Sequence, residues 1–134
     1  MKNVSVLAAK RLGISQCACD TALGEIARMM DKDDISSLVV VDEDGFLEGI
    51  VTRTDVVRAA LERPEDWEEA PCCDWMTDEV ITVQPSTSLA STAQILQAKH
   101  IHRVVVVQPD GEHLRPIAVL SDSDIIYHLV NRDR

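Results

Sequence analysis

The sequence predicts an α+β fold built twice, as two β-α-β-β-α units related by a pseudo-twofold axis. Three observations carry this. Residues 14–23 (ISQCACDTAL) match residues 80–89 (VITVQPSTSL) in pattern, with Leu23 and Leu89 separated by 66 positions. The same shift carries the apolar run Ile35–Val41 onto Ile101–Val107 and the pair Asp44-Gly45 onto Asp110-Gly111. After that pair the shift becomes 69, so that Thr52 meets Ser121 and Asp55 meets Asp124. The extra residues fall at Glu112-His113-Leu114, beside a turn, where added length is tolerated.

Each copy reads as strand, helix, strand, strand, helix. The first strands are expected at about 14–18 and 80–83. A helix follows over about 21–31, with Leu23, Ile26, Ala27 and Met30 spaced i, i+3, i+4, i+7 on one face. Leu89, Ala93 and Leu96 repeat that face in the second copy. The second strands, 37–41 and 103–107, are β-branched apolar runs, as suits strands covered on both faces. Asp-Gly then supplies the positive-φ residue of a hairpin turn, leading to third strands at about 47–51 and 116–120. In the closing helices Val56, Val57, Ala60 and Leu61 map onto Ile125, Ile126, Leu129 and Val130 as one apolar stripe. The resulting organisation is a first repeat over 1–62, a linker over 63–75 and a second repeat over 76–134. The linker is acidic, carries Pro64 and Pro71, and is anchored to the core by Trp67 and Trp75. A unit of this size buries little surface alone, so the two should pair and create two related clefts.

Bulk properties exclude several classes. A net charge of −10 argues against nucleic acid and against docking on an anionic membrane. No segment approaches the ~18 apolar residues of a membrane span. The start resembles a signal peptide only faintly, since Val4–Ala9 is stopped by Lys10 and Arg11, and a cytoplasmic protein is expected. Cys17, Cys19, Cys72 and Cys73 lack the C-x-x-C spacing of a zinc site, and the first two read as small buried hydrophobes on a strand. His100 and His102 have no third ligand at matching spacing, so no metal site is expected. There is no G-x-S-x-G elbow, P-loop or dinucleotide fingerprint, and no base is placed against a nucleophile; the chain is not expected to be an enzyme.

The informative segments are Gly49-Ile50-Val51-Thr52-Arg53-Thr54-Asp55 and Ala118-Val119-Leu120-Ser121-Asp122-Ser123-Asp124. Each runs from a strand into a helix start. A hydroxyl beside free backbone N–H groups can hold a phosphate, and a carboxylate one turn on can accept both hydroxyls of a ribose. Helix capping competes as an explanation: Thr54 and Ser123 read as N-caps, with Asp55 and Asp124 favoured by the helix dipole. That account leaves Thr52, Ser121 and Gly49 unexplained.

The order LVVVDEDGFLEGIVTRTD, then WMTDEVITV and VVVVQPDGEHLRPIAVLSDSD, resembles a CBS-domain pair, the Bateman module, over about residues 10–130. The resemblance implies β-α-β-β-α repeats packed sheet to sheet, and a regulatory module binding AMP, ADP, ATP or S-adenosylmethionine, as a homodimer. It implies that Asp55 and Asp124 hold ribose hydroxyls, with Thr52 and Ser121 at the ribose–phosphate junction. One cleft would use His102 and Arg103 with Ser15, Ile35 and Ser36 walling the base; the other would use Ser36 and Ser37 with Ile81, Ile101 and His102 opposite. Three departures stand out. Lys10-Arg11 replaces the Met76-Thr77 start, Ala118 replaces glycine, and Asp122 stands where the first copy has the basic Arg53. A carboxylate is unfavourable beside phosphate, whereas Arg103 would favour it. The expectation is therefore a stand-alone energy-sensing module that signals to a separate effector protein. The alternatives are a ligand-free dimerisation or docking module, or a binder of S-adenosylmethionine, whose sulfonium suits Asp122.

Overall fold

The computed structural model describes residues 4–6 and 14–131, which form two compact units: residues 15–80, and residues 4–6 with 81–131. Lys10 and Arg11, and most of the leader-like start, lie outside the described residues.

In residues 15–80 the elements are β1 (Gln16–Ala18), α1 (Leu23–Asp33), β2 (Ser37–Val41), β3 (Leu47–Thr52) and α2 (Arg53–Glu62). The sheet order is β1-β2-β3, with β1 parallel and β3 antiparallel to β2. The central strand is the most apolar, and Leu38 to Val41 are buried, as a run covered on both faces requires. Leu23, Ile26 and Met30 of α1 pack there with Val51, Val56 and Ala59, confirming the helical spacing. The helix starts two residues later than the periodicity predicts. Ala22 stays extended to bridge Pro71, and Leu23 N–H donates to the Ala70 carbonyl (2.9 Å). In the β2–β3 turn Gly45 has φ 85°, and Asp42 Oδ1 accepts from Asp44 and Phe46 N–H, both at 2.9 Å.

The segment after α2 is more structured than its composition suggests. Two 3-10 turns, Trp67–Glu69 and Cys72–Asp74, lay it along the core, where Trp67, Trp75 and Met76 pack. Thr77 then pairs with Ile50 through both backbone bonds, each 2.9 Å. This explains Gly49, which occupies ordinary strand geometry. A Cβ there would lie 2.6 Å from Met76 Sδ and 2.7 Å from the Thr77 carbonyl oxygen. The glycine serves close approach rather than backbone freedom.

The second unit repeats the plan with β4 (Thr82–Val83), α3 (Leu89–Lys99), β5 (Arg103–Asp110), β6 (His113–Ser121) and α4 (Asp122–Asn131), in sheet order β4-β5-β6. Val83, Leu89, Leu96, Val104, Val106, Leu120 and Ile125 form its core. Val6 joins them, fully buried, because Leu89 N–H donates to Val4 (2.7 Å) and Val6 N–H to Thr87 (3.0 Å). Ala118, the counterpart of Gly49, is buried without difficulty at 2% exposure. The predicted insertion lengthens the hairpin rather than its loop. Ladder pairing continues out to Asp110↔His113, leaving a two-residue turn with Gly111 at φ 63°.

The closing helices depart from the expected single stripe. Val56 and Ile125 are buried, but Val57 (58% exposed), Leu61 (78%), Ile126 (59%) and Val130 (72%) face outward. Only the turn of helix above the sheet reaches the core, and those positions lie around the helix from it. No described helix is long and apolar enough to cross a membrane.

Candidate functional site

In each unit the sequence-predicted residues gather at one end of the sheet. Parallel pairing of the first two strands and antiparallel return of the third place two strand starts beside one strand end. In residues 15–80 this end holds Ser15, Ile35, Ser36, Ser37, Thr52, Arg53 and Asp55. In the second unit it holds Ile81, Ile101, His102, Arg103, Ser121 and Asp124, at equivalent positions.

The ladders hold the two sets alike. The Ser15 carbonyl accepts from Val39 N–H (2.9 Å) and the Ile81 carbonyl from Val105 N–H (3.1 Å). Ser37 stands opposite Thr52, and Arg103 opposite Ser121. The Ser36 carbonyl receives Arg53 N–H (3.1 Å), and the His102 carbonyl receives Asp122 N–H (3.0 Å). Ile35 and Ile101 are half-buried, packed against their respective cores.

At the junction itself the capping expectation needs correction. Thr52, not Thr54, is the N-cap of α2, and Asp55 is the third helical residue of a reciprocal capping box. Asp55 Oδ2 accepts from Thr52 N–H (2.8 Å) and Oγ1 (3.1 Å), while Asp55 N–H points back to Thr52 Oγ1 (3.4 Å). Asp124 Oδ2 likewise accepts from Ser121 N–H (2.9 Å) and Oγ (3.2 Å), and Ser121 Oγ lies 2.7 Å from Ser123 Oγ. Capping therefore accounts for the hydroxyl as well as the carboxylate. The S/T-x-x-D spacing was the signal for it. Both carboxylates are buried, at 7% and 3% exposure, because the box folds them under the first turn.

The two junctions differ in charge. Arg53 Nη2 reaches Asp34 Oδ1 at 3.0 Å, whereas Asp122 Oδ2 lies 3.1 Å from His102 Nδ1. The helix-start residue is thus basic in one unit, beside the Asp34 carboxylate, and acidic in the other, beside the His102 imidazole. Asp34 and His100, at matching positions, both take the left-handed conformation that ends the preceding helix (φ 51° and 54°). Among the described residues no group of three or more His, Cys, Asp or Glu is placed to hold a metal ion.

Two features escaped the sequence reading. Arg58 Nη2 donates to Asp55 Oδ1 (3.1 Å) and to the Trp75 carbonyl (3.1 Å), with its guanidinium 5.1 Å from the Trp75 ring centroid. The i, i+3 Asp–Arg spacing was its only sequence signal; position 127 of the second unit holds Tyr instead. The cysteines are the other. Cys72 is buried and Cys17 half-buried, as hydrophobes would be, but Cys19 is bonded to Cys73.

Residues 17–62 and 72–131 each match the sequence profile of the CBS domain. The chain is 30% identical over 116 residues to an inosine-5'-monophosphate dehydrogenase of Halobacterium salinarum, a match covering 85% of this chain and 22% of that enzyme. It spans less than two thirds of the length of the first curated relatives it matches. Among solved structures it is similar to the CBS domain pair of protein MJ0100 in complex with 5'-methylthioadenosine and S-adenosyl-L-methionine (TM-score 0.82, 23% identity, 96% of this chain and 98% of that one). It is similar also to CBSX2 in complex with AMP (TM-score 0.82, 19% identity, 98% and 99%).

Proposed function

The chain belongs to the CBS-domain family and carries the domain twice, and from this premise we propose that it is a regulatory CBS pair that binds an adenosine-type ligand and signals its occupancy to a separate partner protein. AMP, ADP or ATP is the ligand this reading favours. What supports it is the doubled junction, Thr52 with Asp55 and Ser121 with Asp124 at matching positions in both units, taken together with the similarity to CBS pairs in complex with adenosine compounds. Under this reading the two carboxylates take ribose hydroxyls, the two hydroxyls stand at the ribose–phosphate link, and Arg53 and Arg103 attract phosphate. Ser15, Ile35, Ser36, Ser37, Ile81, Ile101 and His102 supply the remaining walls. The complexes of MJ0100 with methylthioadenosine and S-adenosylmethionine and of CBSX2 with AMP support adenosine chemistry. Catalysis has no part in the reading, and the setting it fits is the cytoplasm, as an energy sensor.

The test is calorimetric titration of the protein with AMP, ATP and S-adenosylmethionine, repeated on Asp55→Asn and Asp124→Asn. Asparagine keeps an acceptor for the capping box while losing the charge. Saturable binding lost in one variant supports the reading and assigns the working junction. Preference for S-adenosylmethionine, lost in Asp124→Asn, would favour the sulfonium alternative that Asp122 suits. Silence with every ligand at millimolar concentration would sink it.

A second reading, a homodimerisation module that needs no ligand, is favoured by the outward Val57, Leu61, Ile126 and Val130. The 69-residue shift relates the two pairs, so both units offer the same apolar positions, as a self-complementary contact with a second copy would use. Sedimentation of the protein and of Val57→Glu with Ile126→Glu tests it. A dimer that the substitutions dissociate supports this contact, and a monomer refutes it.

A further inference from the structure

All four cysteines lie in residues 15–80 and meet as two adjacent pairs across the same two segments. Cys17 on β1 and Cys19 just beyond it face Cys72 and Cys73 of the second 3-10 turn. Cys19 and Cys73 are joined by a disulfide, with Cα atoms 4.8 Å apart. Cys17 and Cys72 are thiols whose sulfurs lie 3.9 Å apart. Backbone bonds seat the turn on the strand: Cys72 N–H donates to Thr21 (2.9 Å) and Cys73 N–H to Cys19 (3.1 Å). The same turn leads into Trp75, which receives Arg58, which in turn reaches Asp55.

A structural staple explains one pair but not both. A cross-link stabilises by closing a loop in the unfolded chain, and the Cys19–Cys73 bond already closes the loop that Cys17–Cys72 would close. The second pair adds almost no further restriction of the unfolded chain. What it adds is a pair of thiols in register to bond, of which Cys17 is half-buried and Cys72 fully buried.

We propose that the four cysteines form a thiol-oxidation site, closed by a low-molecular-weight disulfide and opened by a dithiol, whose bridged state fixes Arg58 on Asp55 through Trp75. The Cys17–Cys72 pair gives up one proton, and the thiolate, held by the hydrogen bond from the remaining thiol, attacks the small disulfide and expels one of its halves. The other cysteine of the pair then displaces the second half. One S–S bond forms in the protein, one breaks in the oxidant, and the two thiol protons leave on the two small thiols released. A dithiol reverses this and opens Cys19–Cys73 by the same exchange, closing on itself as a cyclic disulfide. None of these steps depends on the adenosine reading.

The test equilibrates the full chain with dithiothreitol or with oxidised glutathione. Thiols are counted, bridges are located by peptide mass spectrometry after alkylation, and melting and tryptophan emission are followed. Both tryptophans, Trp67 and Trp75, lie on the clasped segment, so emission reports on it directly. The expected result is four thiols when reduced and none when oxidised, with Cys17–Cys72 and Cys19–Cys73 both found. Melting should fall by on the order of 10 °C on reduction, and the emission should shift with redox state. Cys73→Ser should still bridge Cys17 to Cys72, and Cys17→Ser should keep the other bridge. Two thiols that persist under oxidant, bridges between other cysteines or between chains, or emission unchanged by redox state would overturn the proposal.

Discussion

Gly49→Ala should destabilise residues 15–80 far more than a single methyl usually does. The added Cβ would stand 2.7 Å from the Thr77 carbonyl oxygen and 2.6 Å from Met76 Sδ. The sulfur can swing away, but the carbonyl is backbone. Relieving that contact means moving Thr77 off β3 by several tenths of an ångström, against two hydrogen bonds to Ile50 at 2.9 Å each. Each such bond contributes about 1 kcal/mol net, and overpacking in a tight site costs about 1–3 kcal/mol. A loss of about 2–4 kcal/mol follows, a shift in melting on the order of 10 °C. Urea unfolding followed by tryptophan emission reads it, because Trp67 and Trp75 both belong to the affected unit. The control is Ala118→Gly at the equivalent position, followed by circular dichroism, where no clash arises and the loss of a buried methyl plus strand flexibility should cost about 1–2 kcal/mol. If Gly49→Ala costs under about half a kcal/mol, the close approach of residues 76–77 does not set that position, and the explanation of the glycine is wrong.

Three further outcomes can be checked alongside. Thr52→Ala should cost about 1 kcal/mol by removing a helix cap, and Ser121→Ala a similar amount by removing a hydroxyl bonded to the buried Asp124, while Thr54→Ala should be near neutral; denaturant midpoints distinguish them. Arg58→Ala should cost about 1 kcal/mol, since its partner Asp55 is buried but the guanidinium itself is half-exposed and screened; its clearer signature is a change in Trp75 emission. The hydrogen bond between the two thiols, with burial, holds Cys17 well above the ordinary 9.0 while the same bond lowers Cys72, so the folded pair gives up one proton readily and keeps the other. The folded chain therefore keeps a proton that the unfolded chain loses, and stability should fall as pH rises above about 9, by up to roughly 1.4 kcal/mol per pH unit. Cys17→Ser should flatten that slope in pH-dependent unfolding.

Much of this molecule can be read before it is folded, because duplication prints the same physics twice. The β-branched run 37–41 appears as a buried strand with the bounds its composition suggests, and the α1 spacing of Leu23, Ile26 and Met30 survives as packing. What stayed hidden is set by long-range contacts. Val6 contributes to a core more than seventy residues away in sequence, a link no local pattern announces. The late start of α1 depends on Pro71, and Gly49 depends on Met76 and Thr77. At the junction the residues were legible, but the division of labour was not. A hydroxyl three positions before a carboxylate fits a ribose and a capping box equally, and only the observed bonds to Thr52 and Ser121 show the second use.

That second use bears on how such sites persist. Thr52 and Asp55 begin a helix whether or not anything is bound, so folding alone penalises their replacement. A copy of this domain that had lost its ligand would still display both side chains in place. The residues free to record a change of ligand are the ones the helix does not need, and Arg53 against Asp122 is where the two halves of this protein have already parted.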